Sequence, residues 1–296
     1  MKIAITGAGG FLGTELLKQL SQKNDITVYA FTFDFERNRS TYVTSENIIT
    51  LDNSEAADFD YSSVDALINC AFPRNVENAD FANGLDFIQK VIEKAVQDNV
   101  GSVINISSQS VYDPARTQPA DENSPVVLTT KYAVGKYFSE LFVNSMCRNI
   151  RHTNLRMASL IGPGFDQRIT NKFANKVIDG EQITVVGGEQ RFGYLDVRDA
   201  ASGIIAVALS DGDWDEVYNL GNDGSYTLRE IAQAAVEVGR ELGYDAKDPV
   251  VNENIDDKKQ NSALDCGSFE KRFALEAQLG ILDTLTDIFK YNRCIQ

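Results

Sequence analysis

Histidine is nearly absent. His152 is the only one among 296 residues, which leaves little room for a serine–histidine–aspartate triad or for a metal held by several imidazoles. His152 itself reads as a passive residue at the start of a strand. The four cysteines, Cys70, Cys147, Cys266 and Cys294, form no CxxC pair. That spacing argues against a metal site or a disulfide framework and for reduced thiols in a cytoplasmic compartment. Long apolar runs are missing too, so no segment reaches the ~20 residues of a membrane-spanning helix. "KIAIT" at the start is too short for a signal segment and runs at once into glycines. Positive charge is scarce: 28 Lys and Arg stand against 43 Asp and Glu, a net charge of −15. Nucleic acid and anionic membranes are therefore poor partners, because both need clustered basic residues. Backbone amides can still bind a phosphate locally.

What is present describes an ordinary globular chain, 43% hydrophobic and 24% charged, long enough for one large domain or two modest ones. Short apolar runs alternate with longer amphipathic ones. "KIAIT" (2–6), "ITVYAF" (26–31), "NIITL" (47–51), "VDALINC" (64–70), "SVINIS" (102–107) and "TNLRMA" (153–158) have the length and composition of strands. Between them, "FLGTELLKQLSQ" (11–22), a stretch around 83–98 and a stretch around 129–147 carry apolar residues at helical spacing. Strand–helix alternation of this kind predicts parallel strands with right-handed crossovers, a doubly wound α/β sheet. After residue 160 the pattern loosens. Residues 244–268 read as a surface connection before a last apolar stretch at 273–289, and no internal repeat is visible.

Two motifs carry chemistry. "ITGAGGFLG" sets Gly7, Gly10 and Gly13 between the first strand and the first helix. Glycines there allow a tight turn and close approach of backbone amides to a pyrophosphate, which the helix N-terminus also attracts. The second motif, "TKYAVGK", spaces Tyr132 and Lys136 four apart, on one helical face. A tyrosine alone titrates near pH ~10. An adjacent ammonium and an oxidised nicotinamide would both favour its phenolate, letting it exchange a proton with a hydroxyl while hydride moves. "NISSQSVY" (105–112) ends a strand where α/β sheets bind ligands and supplies hydroxyl donors.

With "SSQSVY" (107–112), "LIGPG" (160–164), "RFGYLDVRDAA" (191–201) and "YNLGND" (218–223) in the same order, the chain resembles the extended short-chain dehydrogenase/reductases. More narrowly, it resembles their NAD-dependent epimerase/dehydratase branch, which acts on nucleotide sugars. The resemblance implies a Rossmann-like, doubly wound parallel sheet with a smaller C-terminal substrate lobe. It implies Tyr132 as base, Lys136 as its activator and ribose ligand, and Ser108 as the hydroxyl donor to substrate. Gly7, Gly10, Phe11, Leu12, Gly13, Thr32, Arg37, Asp52, Asn53, Ala71 and Asn83 fall at cofactor positions of the family, and Ser159 and Arg191 at substrate positions. A homodimer built from the helices near 83–98 and 129–147 is a further implication. The expected division is a cofactor domain at 1–160 plus about 190–225, with a substrate lobe from 161–189 and 226–296.

Departures from the family narrow this reading. Phe31 stands where an acidic residue commonly meets the ribose of NAD, with Asp34, Arg37 and Arg39 close behind. Both NAD and NADP stay open, and the missing carboxylate inclines the balance to NADP. Gln109 and Ser110 replace the acid pair of the dehydratases, which disfavours dehydration. "NCA" at 69–71 replaces a His-x-Ala, and Ser159 stands where an epimerase often has Asn. The expected activity is oxidoreduction or epimerisation of a nucleotide sugar. The alternatives are an NADPH-dependent reductase of a keto sugar or small carbonyl compound, and a non-catalytic dinucleotide sensor, which would not need the intact serine, tyrosine and lysine. Arg191 could instead be a surface arginine paired with Asp196 or Asp199.

Overall fold

The alternating runs become strands and helices in a computed structural model that describes residues 1–33, 43–73, 77–222, 224–252 and 260–295. Arg37, with Asp34 and Arg39, lies outside the described residues. The first half of the chain runs β1 (Lys2–Thr6), α1 (Phe11–Leu20), β2 (Thr27–Thr32), β3 (Ile48–Asp52), β4 (Ala66–Asn69), α2 (Asn78–Gln97), β5 (Ser102–Ser108), α3 (Lys131–Met146) and β6 (Arg151–Met157). It continues as β7 (Ser159–Ile161), α4 (Ile169–Ile178), β8 (Thr184–Val186), β9 (Arg191–Phe192), β10 (Tyr194–Asp196), α5 (Val197–Leu209) and β11 (Val217–Leu220). The last elements are β12 (Tyr226–Thr227), α6 (Leu228–Glu241), β13 (Val250–Asn252), α7 (Gly267–Phe273) and α8 (Ile281–Ile295).

Two compact units emerge. The first comprises 1–111, 128–156 and 201–218, and the second 112–127, 157–200 and 219–296. A seven-stranded sheet in the order β11-β6-β5-β4-β1-β2-β3 organises the first. β1 pairs in parallel with β2 and with β4, β2 with β3, and β4 with β5. The winding therefore reverses between β1 and β4. Their carboxyl ends form the crevice where open α/β sheets bind ligands. This is the Rossmann-like fold expected from the alternation.

Strand faces are filled as the periodicity requires. Ile3, Ala4 and Ile5 of β1 and Ala66, Leu67 and Ile68 of β4 have no exposed surface. Their continuous apolar runs suit a sheet covered on both faces. Phe31 is likewise fully buried, edge-on to Phe59 at 5.2 Å between ring centroids. β2 thus runs one residue further than the apolar run suggests. Its cavity-facing end is formed by Thr32 and Phe33, and Phe31 belongs to the core.

One sheet feature breaks the apolar rule. Thr6 donates to Asn69 (2.8 Å), Asn69 to Asn105 (2.9 Å) and Asn105 to Asn154 (2.8 Å), one polar residue from each of β1, β4, β5 and β6. All four are at most 3% exposed. Each buried amide finds its partner on the next strand, which is why the ladder is tolerated.

The second unit gathers α4, α6 and α8 around an apolar core that includes Phe173, Ile231, Leu285 and Phe289. Short strand pairs, β7 with β10, β9 with β12 and β8 with β13, complete it. Thr227 and Glu230 form a reciprocal cap at the start of α6. The stretch 244–268 proves more than a surface connection. β13 pairs with β8, and Asn261, Ala263, Leu264 and Cys266 are buried. Their apolar content is hidden in the sequence by the polar residues around them. The apolar stretch at 273–289 divides into the end of α7 and most of α8, because Ala274 turns into the left-handed region (φ 49°).

Candidate active site

The crevice at the reversal is a cavity of about 850 Å³ within the first unit. Small-molecule sites span roughly 300–1,000 Å³. Gly7, Gly10, Thr32, Asp52, Asn53, Ala71 and Asn83, all singled out by sequence, line it together. Gly7 has φ 69°, and a Cβ there would sit 2.7 Å from the Ala71 amide nitrogen. Only glycine lets the loop turn and pass that close to the end of β4. A Cβ on Gly13 would lie 2.4 Å from the Gly7 carbonyl oxygen, so this glycine lets α1 press against its own loop. Gly13, Phe11 and Leu12 stand outside the cavity lining, in the first turn of α1.

The opposite end of the cavity is polar. Thr32 and Asp52 are paired neighbours on β2 and β3. Side-chain and backbone hydrogen bonds from Ser54 hold the Asp52 carboxyl below the usual carboxylate range, so it is anionic at neutral pH. Beside it, Asn53 is 1% exposed and its Oδ1 has no hydrogen-bond partner. A buried unpaired acceptor in a cavity wall is a site for a donor group. Together with the glycine cradle it fits the amino group and pyrophosphate of an adenine dinucleotide.

Tyr132, Lys136 and Ser108 do not line this cavity, but Tyr132 and Lys136 both contact Phe72, which does. The Tyr132 ring is edge-on to Phe72 at 5.0 Å between centroids, and Lys136 Nζ sits 4.2 Å over the same ring. Thr130 caps α3 by accepting from the Ala133 amide, which puts Tyr132 in the first turn. Lys136, 5% exposed, donates to the Ile106 carbonyl at 2.7 Å. Ser108 ends β5, and its Oγ accepts from the Ser110 amide at 3.2 Å. Gln109 and Ser110 follow in a single 3₁₀ turn. At the end of β4, burial pushes the Cys70 thiol up to about 12 against the pull of the Lys136 ammonium, so it is not a ready nucleophile.

Ser159 and Arg191 lie in the second unit. The Ser159 amide donates to the Gly193 carbonyl in the β7–β10 pair. Arg191 is exposed. It donates to the Ser225 carbonyl at 3.0 Å and stands 4.0 Å from Glu230. Asp196 and Asp199 are not its partners. Asp196 is held by Arg198, and Asp199 accepts from the amides of Gln278 and Leu279. Phe33, Phe72, Pro73, Asp80 and Phe87 also line the cavity without having been singled out. Phe72 and Pro73 had a signal, their place directly after β4 beside the reversal. Asp80 had none, because α2 begins five residues before its apolar periodicity does, and nothing in the 83–98 stretch set Phe87 apart from the helix's other apolar residues.

Known proteins resemble this chain in sequence and in fold. Residues 3–221 match the model of the NAD dependent epimerase/dehydratase family. A dTDP-glucose 4,6-dehydratase of Streptomyces niveus is 25% identical over 267 residues, covering 79% of this chain and 76% of that protein. Among solved structures, the UDP-glucuronic acid 4-epimerase of Bacillus cereus, in complex with UDP-glucuronic acid and NAD, superposes over 100% of both chains with a TM-score of 0.84 at 18% identity. The UDP-N-acetylglucosamine 4-epimerase of Methanobrevibacter ruminantium superposes over 100% of this chain and 99% of its own, with a TM-score of 0.85 at 21% identity. With a family match spanning both the glycine loop and the tyrosine–lysine helix, the chain belongs to the NAD-dependent epimerase/dehydratase family, the nucleotide-sugar branch of the extended short-chain dehydrogenase/reductases.

Proposed function

We propose that this protein is an NAD-dependent epimerase of a nucleotide sugar, with Tyr132, Lys136 and Ser108 as its catalytic groups. The observation that carries the reading is Phe72, which lines the cavity beside the glycine loop and touches both Tyr132 and Lys136. The bound nicotinamide supplies a hydride acceptor that can return the hydride. Tyr132 takes the proton of the sugar hydroxyl as the carbonyl forms and gives it back on reduction. The Lys136 ammonium favours the phenolate of Tyr132, and Ser108 donates to the substrate oxygen. Reduction of the keto sugar on its other face, with Tyr132 returning the proton, would invert one carbon with no net redox change. Gln109 and Ser110 offer no acid for removing water, which favours epimerisation over dehydration.

The cofactor is read as NAD. Asp52 and Asp80 line the cavity, and none of its described lining residues is a Lys or Arg. A 2′-phosphate beside the anionic Asp52, the strand neighbour of Thr32, would meet repulsion from that carboxylate. In the second unit, Ser159 and Arg191 are assigned to the sugar and its phosphates. Val134, Phe138 and Leu141 of α3 are 42–53% exposed and share one helical face, which suits a homodimer through α2 and α3. No disulfide joins the cysteines, consistent with a cytoplasmic enzyme. Among the described residues no helix is long and apolar enough to cross a membrane.

Incubation with UDP-glucose, UDP-glucuronic acid or dTDP-glucose and catalytic NAD, followed by proton NMR, tests the reading. An epimer formed without accumulation of NADH supports it. Stoichiometric consumption of NADPH with a keto sugar would establish the reductase instead, and a 4-keto-6-deoxy product the dehydratase.

A further inference from the structure

The inner face of α3 is bolted to β5 at three consecutive residues, the three that precede Ser108. Asn105 donates to Ser139 Oγ at 3.2 Å, and Ser139 in turn donates to the Lys136 carbonyl at 2.7 Å. The Ile106 carbonyl accepts from Lys136 Nζ. Ser107 donates to Glu140 Oε1, and the Arg156 guanidinium of β6 grips both oxygens of that carboxylate, with Nε 3.0 Å from Oε1 and Nη2 2.7 Å from Oε2. Glu140 is 2% exposed and Arg156 6%. Burying a full ion pair seldom adds net stability, since desolvation consumes most of the attraction. Its presence here therefore calls for another reason. Tyr132, Lys136 and Glu140 repeat every four residues along one stripe of α3. An apolar interface would let the helix slide along β5, whereas a forked, charge-assisted bond fixes its height.

We propose that Glu140, held by Arg156 and Ser107, is a positioning residue that sets the height of α3 on β5 and thereby the placement of Tyr132 and Lys136 relative to Ser108. The inference rests on the catalytic roles proposed above. A misplacement of ~1 Å between reacting groups costs on the order of 10²-fold in rate, so the register is worth maintaining even where the pair adds nothing to stability.

The decisive variant replaces all three polar partners by apolar ones: Ser107→Ala, Glu140→Leu and Arg156→Met together. Such replacements commonly leave folding intact or improved. The thermal midpoint and the affinity for NAD are expected to stay near wild type. Turnover of the nucleotide sugar should fall by roughly tenfold or more with KM little changed, and hydrogen exchange of the amides at 133–137 should quicken by about tenfold. If the triple variant fails to fold, Glu140→Gln, which keeps the shape and loses the charge, is read by the same measurements. A folded variant with wild-type turnover, or with wild-type exchange at 133–137, overturns the proposal. A wild-type enzyme inert towards every nucleotide sugar would sink the functional reading, and the exchange measurement would still decide the positioning role.

Discussion

Replacing Asn105 by leucine removes the centre of the buried ladder while keeping the number and branching of the side chain's heavy atoms. Asn105 has no exposed surface, accepts from Asn69 and donates to Asn154 and Ser139. After the change, Asn69 Nδ2 loses its acceptor and Asn154 Oδ1 its donor, in a place water does not reach. Leaving a buried polar group unpaired costs ~1–3 kcal/mol, so two cost ~2–6 kcal/mol. Burial of the leucine offsets part of this, and the expected net loss is ~2–4 kcal/mol. Against a typical stability of ~5–15 kcal/mol that is a large fraction. Trp214, the single tryptophan, belongs to the same unit and packs under Arg151 at 4.2 Å. Its fluorescence during urea unfolding therefore reports the right region, and the midpoint should fall with the slope unchanged. A loss below ~1 kcal/mol would refute the reasoning, because it would mean that the ladder's amides find other partners at no cost.

Three further outcomes are expected. Gly7→Ala should weaken NAD binding by about a hundredfold or more in a calorimetric titration, since φ 69° and the 2.7 Å approach to the Ala71 amide both exclude a side chain; tight binding would show that the loop is not the phosphate cradle. Arg198→Met should destabilise the second unit at pH 7 by ~3–5 kcal/mol, by leaving the fully buried Asp196 carboxylate without its cation. In the wild type, burial raises the Asp196 pKa, but bonds from Arg198 and Thr284 outweigh it and hold the value low, so this stability is present above the ordinary carboxylate pKa and lost as pH falls through the depressed one. The variant's Asp196 would protonate more readily, so the gap in thermal midpoint between the two proteins should narrow from pH 7 to pH 4; a constant gap would contradict the pairing. Arg191→Ala should raise KM for a nucleotide sugar by about 10- to 100-fold with kcat nearly unchanged, as loss of a charge-assisted phosphate contact requires; an unchanged KM would reduce Arg191 to a staple between β9 and Ser225.

The sheet and the cavity at its carboxyl end were legible because their determinants are local. The β1 run, Gly7 and Gly10 are each explained by bonds and contacts within a few residues or with the adjacent strand. Tyr132 and Lys136 were visible through helical spacing and the Thr130 cap. Other features depend on partners distant in sequence. Nothing around Asn105 announces that Asn69 and Asn154 flank it. Glu140 reads as an ordinary exposed helix residue until Arg156 and Ser107 are seen to close on it. Asp80 was missed because the first turns of α2 lack the apolar stripe that marks its remainder, and Phe87 because helical spacing alone does not say which side chain lines a cavity. The alternative pairing of Arg191 fails for a related reason: Asp196 and Asp199 are near in sequence, but Arg198 and the amides at 278–279 already occupy them.

The proposed chemistry turns on proton exchange at Tyr132. The most direct measurement mixes the NAD-loaded enzyme with an excess of UDP-glucose or UDP-glucuronic acid and follows absorbance at the nicotinamide band in a stopped-flow instrument. Wild-type enzyme should form transient NADH. Tyr132→Phe should bind NAD with unchanged affinity yet form NADH on the order of 10²–10⁴-fold more slowly, because the ring is kept and only the exchangeable proton is gone. Formation of NADH by the phenylalanine variant at near wild-type rate would contradict the assignment.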